Sequence, residues 1–500
     1  MWKKRKELYL QWVKDSWPRL LSLQDVGANS LSKGCFFYPH WQGKKKFCNA
    51  RWQEAVASLA WVYDKGIRSR KEDELIFRIK AGIDFWCKIQ NRNGSFPEYT
   101  RYDHSYAATA YSTYAISHSM NIIGVQEDWL NHLIRAGRWL CKNREKYLTN
   151  QESMAALTLL KIYELTKEEK FLACSQEKLD RVLSSGYRDG FFTERKGIDL
   201  GYSSLTLSIL GNFYLIMPEP KILEAAKGFI ANCNELIYPD GSFGGTYNTR
   251  QLGWLILDGF EIFSPLIPQA NSILEKVIDG YQNGIGYIQH LPDERHLCTD
   301  LYKICQAYDH VKAYDLGDEY NSSKMGIDQN NLKVIRRDSY LVVTDSEHSK
   351  LFALWTRDGM KFFFDPSYYN LKAARWLDIL RPLGLHRLRG LKYKLLSAKE
   401  TGDRHYDFQR DCIIVNTKLQ KDELFFAYKS PYGIEINNNA LILKDQNTRI
   451  KISSTGAISY EDLGIIALSD SIFYGDRALG FLKIRLEAQN PFLNYILRID

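Results

Sequence analysis

Nine segments of this chain carry apolar residues at helical spacing, one after another, and short polar or glycine-containing stretches separate them. The first, 52–63 (WQEAVASLAWVY), places Trp52, Ala55, Val56, Leu59, Ala60 and Tyr63 on one helical face. The same pattern returns at 74–90, 105–120, 128–142, 151–165, 170–185, 203–216, 221–234 and 252–263. Short links between similar helices force antiparallel hairpins, because the chain has no room to return any other way. After about residue 325 the period changes to two. Runs such as SYLVVT (339–344), LFALWT (351–356), MKFFFD (360–365), CIIVNTK (412–418) and ELFFAYK (423–429) are short, β-branched or aromatic, and bounded by turn formers. Five more follow at 440–444, 449–453, 463–468, 480–486 and 494–499. The expected fold is therefore α+β and multidomain, with an α/α-toroid of helical hairpins over 1–320 and an antiparallel β-sandwich over 330–500. The stretch 281–335 is expected to hold the last toroid helix and the linker.

Three connections look like copies of one another: NRNGSFPEYTRYDHSYAATA from Asn91, YRDGFFTERKGIDLGYSSLT from Tyr187 and YPDGSFGGTYNTRQLGWLIL from Tyr238. Each has Asn or Asp, then Gly, then Phe two residues after the Gly. In the first two, Glu98 and Glu194, Asp103 and Asp199, and Tyr106 and Tyr202 fall at matching offsets. Asn/Asp-Gly predicts a tight turn in which Gly takes positive φ, and the Phe is expected to plug that turn into the core. If the hairpins close a ring, such loops surround one axis and aim polar side chains at a common cleft.

Composition narrows the partners. The chain has 45% apolar and 25% charged residues, the balance of an ordinary globular protein, and a net charge of +8 with dispersed basic residues. That pattern does not predict a nucleic-acid footprint; an acidic small molecule or polymer suits it better. Aromatics reach 13%, and most belong to the core, although aromatic faces also suit sugar rings. No run approaches the length of a membrane span, and the N-terminal MWKKRKELYLQWVKDSW lacks the apolar run and cleavage site of a secretory leader. Nine cysteines lie singly, without a CxxC pair. They predict reduced, mostly buried thiols, a cytoplasmic protein and neither zinc nor another cofactor.

The order of TNQESMAALTLLKIYELT (149–166), DGFFTERKGIDLGYSS (189–204) and GGTYNTRQLGWLILDGFE (244–261) resembles that of the heparinase II/III-like polysaccharide lyases and their alginate-lyase relatives. The resemblance implies a toroid-plus-sandwich build and β-elimination on acidic polysaccharides. It also implies that Asn150 helps to neutralise a uronate carboxylate and that Tyr202 exchanges protons with the sugar. The chain departs from the pattern at Gln151, where many members have His after that Asn. The family's β-domain His has no motif here, and His386 and His405 are the candidates.

The chemistry makes the same demands. Removing the C5 proton of a uronate requires neutralisation of its carboxylate, a role open to Asn150 and Arg250, and a base, a role open to Tyr202 or, in its place, His104. Glu98, Tyr106, Glu194, Asp199 and Asn248 are expected to line the cleft and bind substrate. Plainer roles stand beside these. Asn150 also suits a helix cap, Tyr106 and Tyr202 suit packing, Arg250 suits a structural pair with Asp258 or Asp199, and His104 suits an exposed turn. Two other functions compete: a toroid glycoside hydrolase drawing two carboxylates from Glu98, Glu194, Asp103 and Asp199, and a non-catalytic carbohydrate-binding protein of polysaccharide production.

Overall fold

Two kinds of helix alternate along the chain, and their burial tells them apart. In a computed structural model the described residues are 2–27, 30–36, 49–67, 72–100, 103–194, 197–244, 254–286, 288, 294–312, 332–336, 340–345, 347, 351–356, 362–364, 404–409, 412–417, 421–428, 433–437, 440–444, 449–455, 457–467, 478–487 and 493–499. The helices are α1 Trp2–Ser22, α2 Ala55–Asp64, α3 Glu72–Ile89, α4 Tyr106–Ile123, α5 Glu127–Lys142, α6 Thr149–Thr166, α7 Glu169–Arg181, α8 Leu200–Ile216, α9 Pro220–Leu236, α10 Asp258–Phe263, α11 Gln269–Gln282 and α12 Glu294–His310. A 3-10 turn, Ala50–Glu54, leads into α2.

The even-numbered helices form a ring. Each packs on the next from α2 through α4, α6, α8 and α10 to α12, and α12 packs back on α2. These inner helices are buried nearly all round: in α4 every residue from Ala107 to Ser117 is buried. Their many Ser and Thr hydroxyls survive burial by bonding the carbonyl one turn back, as Ser112 does to Ala108 O at 2.6 Å and Thr158 to Met154 O at 2.7 Å. Small side chains then let neighbouring helices approach closely. The outer helices bury one stripe only; α5 buries Trp129, Leu133, Ala136, Gly137 and Leu140 and leaves the rest in water. Helix α1 packs against α12. Arg5 of α1 donates to Glu261 of α10 at 2.8 and 3.0 Å and to Asn271 of α11 at 3.1 Å, a buried pair that ties the chain's start to its later hairpins.

Three expectations are corrected here. Helices α1 and α11 were not marked by the sequence pattern, and the helix expected over 252–263 begins only at Asp258. Cys141 of α5 and Cys174 of α7 are joined as a disulfide, Cα atoms 5.6 Å apart, so the thiols are not uniformly reduced. Cysteine usage therefore no longer argues for a reducing compartment.

The hairpin β1 Tyr187–Arg188 with β2 Phe191–Phe192 follows α7. The later strands are β3 Leu332–Arg336, β4 Tyr340–Asp345, β5 Leu351–Thr356, β6 Phe362–Phe364, β7 Arg404–Phe408, β8 Cys412–Thr417, β9 Lys421–Tyr428, β10 Gly433–Asn437, β11 Ala440–Lys444, β12 Arg449–Ser454, β13 Ala457–Ala467, β14 Ala478–Glu487 and β15 Leu493–Ile499. They form antiparallel sheets in the orders β10-β11-β12-β15-β8-β7, β13-β14-β9-β6 and β3-β4-β5. One apolar cluster draws on all three, with Val342, Leu354, Ile413, Leu441, Ile484 and Leu497 among its members. Strands β3, β7 and β10 were not expected from the sequence, although β7 alternates buried Arg404, Tyr406 and Phe408 with exposed His405 and Asp407.

The chain divides into two compact units, 1–231 with 254–275 and 287–320, and 232–253 with 276–286 and 321–500. All six inner helices lie in the first.

Candidate functional site

Each inner helix is reached through one returning outer helix, so the inner helices run in one direction, and α2, α4, α6 and α8 begin at one end of the ring. Their free N–H groups place partial positive charge there. The side chains near these starts form one connected group. Arg51, in the 3-10 turn before α2, donates through Nε to Glu54, and its guanidinium carbon lies 4.1 Å from the centre of the Tyr111 ring. Tyr111 of α4 is buried and donates its hydroxyl to Asn150 Oδ1 at 2.8 Å. Asn150, in the first turn of α6, donates through Nδ2 and its backbone N to Glu194 Oε1 at 2.7 and 3.0 Å. Glu194 therefore fixes the amide and also satisfies a free N–H of α6. The helix-cap role weighed for Asn150 is not what the geometry gives: the cap position is Leu148, with no side-chain cap bond.

Tyr202 of α8 is half-buried, its ring edge-on to Trp254 at 5.7 Å, and its phenol interacts electrostatically with that of Tyr111. Burial holds Tyr111 well above the ordinary phenol value; Arg51 opposes this and Glu194 adds to it. Beneath the mouth, burial pushes Glu54 up to about 7 against the pull of Arg51 and Lys303. Lys303 of α12 pairs with Asp300 and is almost inaccessible. Deeper still, burial pushes Asp258 up to about 6, against the bonds from Ser208 and Asn212; the Asn212 Nδ2 to Asp258 Oδ2 distance is 2.9 Å.

The duplicated turns behave as their sequences require. Gly94, Gly190 and Gly241 take φ of 96°, 77° and 83°, and a Cβ at Gly94 would meet Arg135 O at 2.3 Å. Phe96, Phe192 and Phe243 are buried, Phe96 stacking on Trp86 at 4.5 Å.

Their matching polar residues diverge. Asp199 caps α8, accepting from Tyr202 N at 3.1 Å. Ser105 caps α4, accepting from Ala108 N at 3.1 Å and donating to Glu98 Oε2 at 2.5 Å. Tyr106 turns away from Tyr111 into a second network, where its hydroxyl donates to Glu152 and accepts from Lys178 Nζ at 2.9 Å. Glu152 also takes Arg181 Nη2 at 2.9 Å. His104 is exposed, its Nδ1 2.7 Å from Ser95 Oγ on the first glycine turn. His405 is exposed on β7. Asn248, Arg250 and His386 lie outside the described residues.

The structure thus brings Asn150, Glu194 and Tyr202 together around Tyr111 and separates Tyr106 and His104 from them. Arg51, Glu54, Tyr111, Trp254 and Lys303 were not singled out by the sequence. A faint signal was present: ARWQE sets Arg51 and Glu54 one turn apart immediately before a mostly apolar helix, which is an unusual place for charge. Among the described residues no group of His, Cys, Asp and Glu is arranged to hold a metal ion, and no helix is long and apolar enough to cross a membrane.

No protein-family model matches the chain, and no curated protein matches it in sequence. Solved structures match it in fold. The Streptomyces coelicolor A3 chondroitin AC lyase, in complex with chondroitin sulphate, has a TM-score of 0.62 at 10% identity over 98% of this chain and 79% of that one. A heparinase III gene product has a TM-score of 0.54 at 12% identity, covering 99% of this chain and 84% of that one. A mutant heparan sulfate lyase from Pedobacter heparinus has a TM-score of 0.51 at 10% identity, covering 90% and 76%. In fold the chain is similar to these solved polysaccharide lyases.

Proposed function

We propose that this protein is a polysaccharide lyase that cleaves an acidic, uronate-containing poly- or oligosaccharide by β-elimination. The observation that carries this reading is the placement of Asn150 and Tyr202, in the first turns of α6 and α8, beside one buried tyrosine, Tyr111. Asn150 keeps one amide hydrogen beyond the bond to Glu194, and an amide donor stabilises the charge that builds on the uronate carboxylate as the C5 proton leaves. Tyr202, as phenolate, takes that proton. The C5–H electrons form the C4–C5 double bond, the C4–O4 bond breaks, and the leaving oxygen takes a proton back from the tyrosine. The helix starts add field of the sign that favours an anionic ligand. Arg250 is a further candidate cation by sequence. The three sheets that share one core are read as the antiparallel β-sandwich of the same architecture.

The four carboxylates that a hydrolase would draw on all accept hydrogen bonds within the protein, Asp199 from Tyr202 N as the cap of α8, Glu194 from Asn150, Glu98 from Ser105 Oγ and Asp103 from Tyr99 N, which favours elimination. Incubation with chondroitin, heparan and alginate polymers tests the reading. An unsaturated, ultraviolet-absorbing product is expected. Reducing ends without that absorbance would replace elimination by hydrolysis, and binding without product would leave a carbohydrate-binding protein.

A further inference from the structure

The mouth contains a cation that is held from two directions and still open on a third. Of the Arg51 side chain 21% is exposed, whereas Glu54 beneath it is fully buried. Nε donates to Glu54, Nη2 reaches the same carboxylate at 3.4 Å, and the flat face lies 4.1 Å from the Tyr111 ring centre. Nη1 makes no hydrogen bond among the described residues, and that edge of the guanidinium is not used by Glu54. At the far end of the Tyr111 side chain the hydroxyl meets Asn150 Oδ1 at 2.8 Å. One tyrosine therefore spans the distance from guanidinium to amide and fixes both. The other cations described near the ring are poor alternatives: Lys303 is 2% exposed and paired with Asp300, Lys178 is 1% exposed in the Glu152 network, and Arg181, although 30% exposed, is held by both Glu152 and Glu177.

We propose that Arg51 is the specificity-determining cation of the site, receiving the substrate's carboxylate on the guanidinium edge that Glu54 leaves free and so selecting uronate over neutral sugar. The assignment rests on the lyase reading only in seating the substrate at this mouth. A planar fork already oriented by a carboxylate and an aromatic face loses little freedom on binding a second carboxylate, which is the advantage of arginine over lysine at such a position.

The test compares calorimetric affinities for sulfated and unsulfated hexasaccharides that alternate glucuronate with an amino sugar, and for the same hexasaccharides with carboxyls reduced to alcohols. Arg51→Ala combined with Glu54→Gln removes the pair together, so no unpaired buried carboxylate is left to unfold the chain. This variant is expected to bind the acidic form about 10- to 100-fold more weakly, the contribution of a charge-assisted hydrogen bond, and the reduced form as wild type does. Arg51→Lys is expected to lie between. Equal losses for both forms, or no loss for the acidic form, would overturn the assignment. Binding without ultraviolet-absorbing product sinks the lyase reading and leaves Arg51 in place; no binding of any acidic hexasaccharide by wild type removes both.

Discussion

Tyr106 and Tyr202 occupy the same position in two copies of one turn, twelve residues after Gly94 and Gly190, and the fold gives them opposite surroundings. Tyr106 joins a buried ion-pair network behind the ring, with Glu152, Lys178 and Arg181. Tyr202 stands at the mouth beside Trp254 and Tyr111. The difference comes from where each helix begins. Ser105 caps α4, which makes Tyr106 its first residue; Asp199 caps α8 two positions earlier in the repeat, which makes Tyr202 the third residue of its helix. Two residues turn a side chain by about 200° around a helix axis. A duplicated motif thus yields one structural and one candidate catalytic tyrosine through a shift in capping alone.

The comparison breaks most readily at the hydroxyls. Tyr202→Phe is expected to lower turnover about 10³-fold, near the middle of what a positioned acid–base group contributes, while Tyr106→Phe stays within about twofold. Initial rates by ultraviolet absorbance decide it, and equal losses would make the two tyrosines equivalent after all. Stability should show the reverse ranking. Glu152→Ala leaves Lys178, 1% exposed, without its carboxylate and is expected to lower unfolding free energy by about 3–5 kcal/mol in urea titration.

Next in size is a pH effect under the mouth. Glu54 is raised by burial from 4.5 to about 7, so the folded protein binds its proton more tightly than the unfolded chain does. Stability from this group is complete below about pH 4.5 and is lost as pH rises through about 7, a span of about 3 kcal/mol. Wild type should therefore lose Tm from pH 5 to pH 8 relative to Glu54→Gln, which cannot ionise; parallel Tm curves would show that the carboxyl titrates elsewhere. The buried His118 and His310, both lowered by burial to about 4, act oppositely and destabilise both proteins as pH falls below about 6.5, so the difference between the two is the quantity to read. The smallest expected change is the stability loss of Tyr106→Phe, about 1 kcal/mol, the worth of one hydrogen bond in a network that survives without it.

How much of this was legible depended on range. The hairpin succession, the switch to alternating strands and the three glycine turns rest on neighbours a few residues apart, and the folded chain has them among its described residues. Helix α1 escaped because its charged MWKKRK start gives no clean apolar stripe, although Arg5 and Tyr9 are buried on Glu261. Glu194 and Tyr202 stood out through repeated positions, and Asn150 through the family resemblance alone. Arg51 and Tyr111 did not, because neither lies in a repeat, and what brings them together is packing of the 3-10 turn before α2 against α4.

By itself the sequence determined the period of each element and the backbone of each turn, since these follow from side-chain spacing and from the positive φ that only glycine takes easily. The tertiary structure alone decided which helices face inward, which of the twin tyrosines meets the mouth, and that Arg51, Tyr111, Asn150 and Glu194 form one chain. Those choices depend on contacts between residues far apart in sequence and on a two-residue difference in helix start. Closing the ring converts both into position.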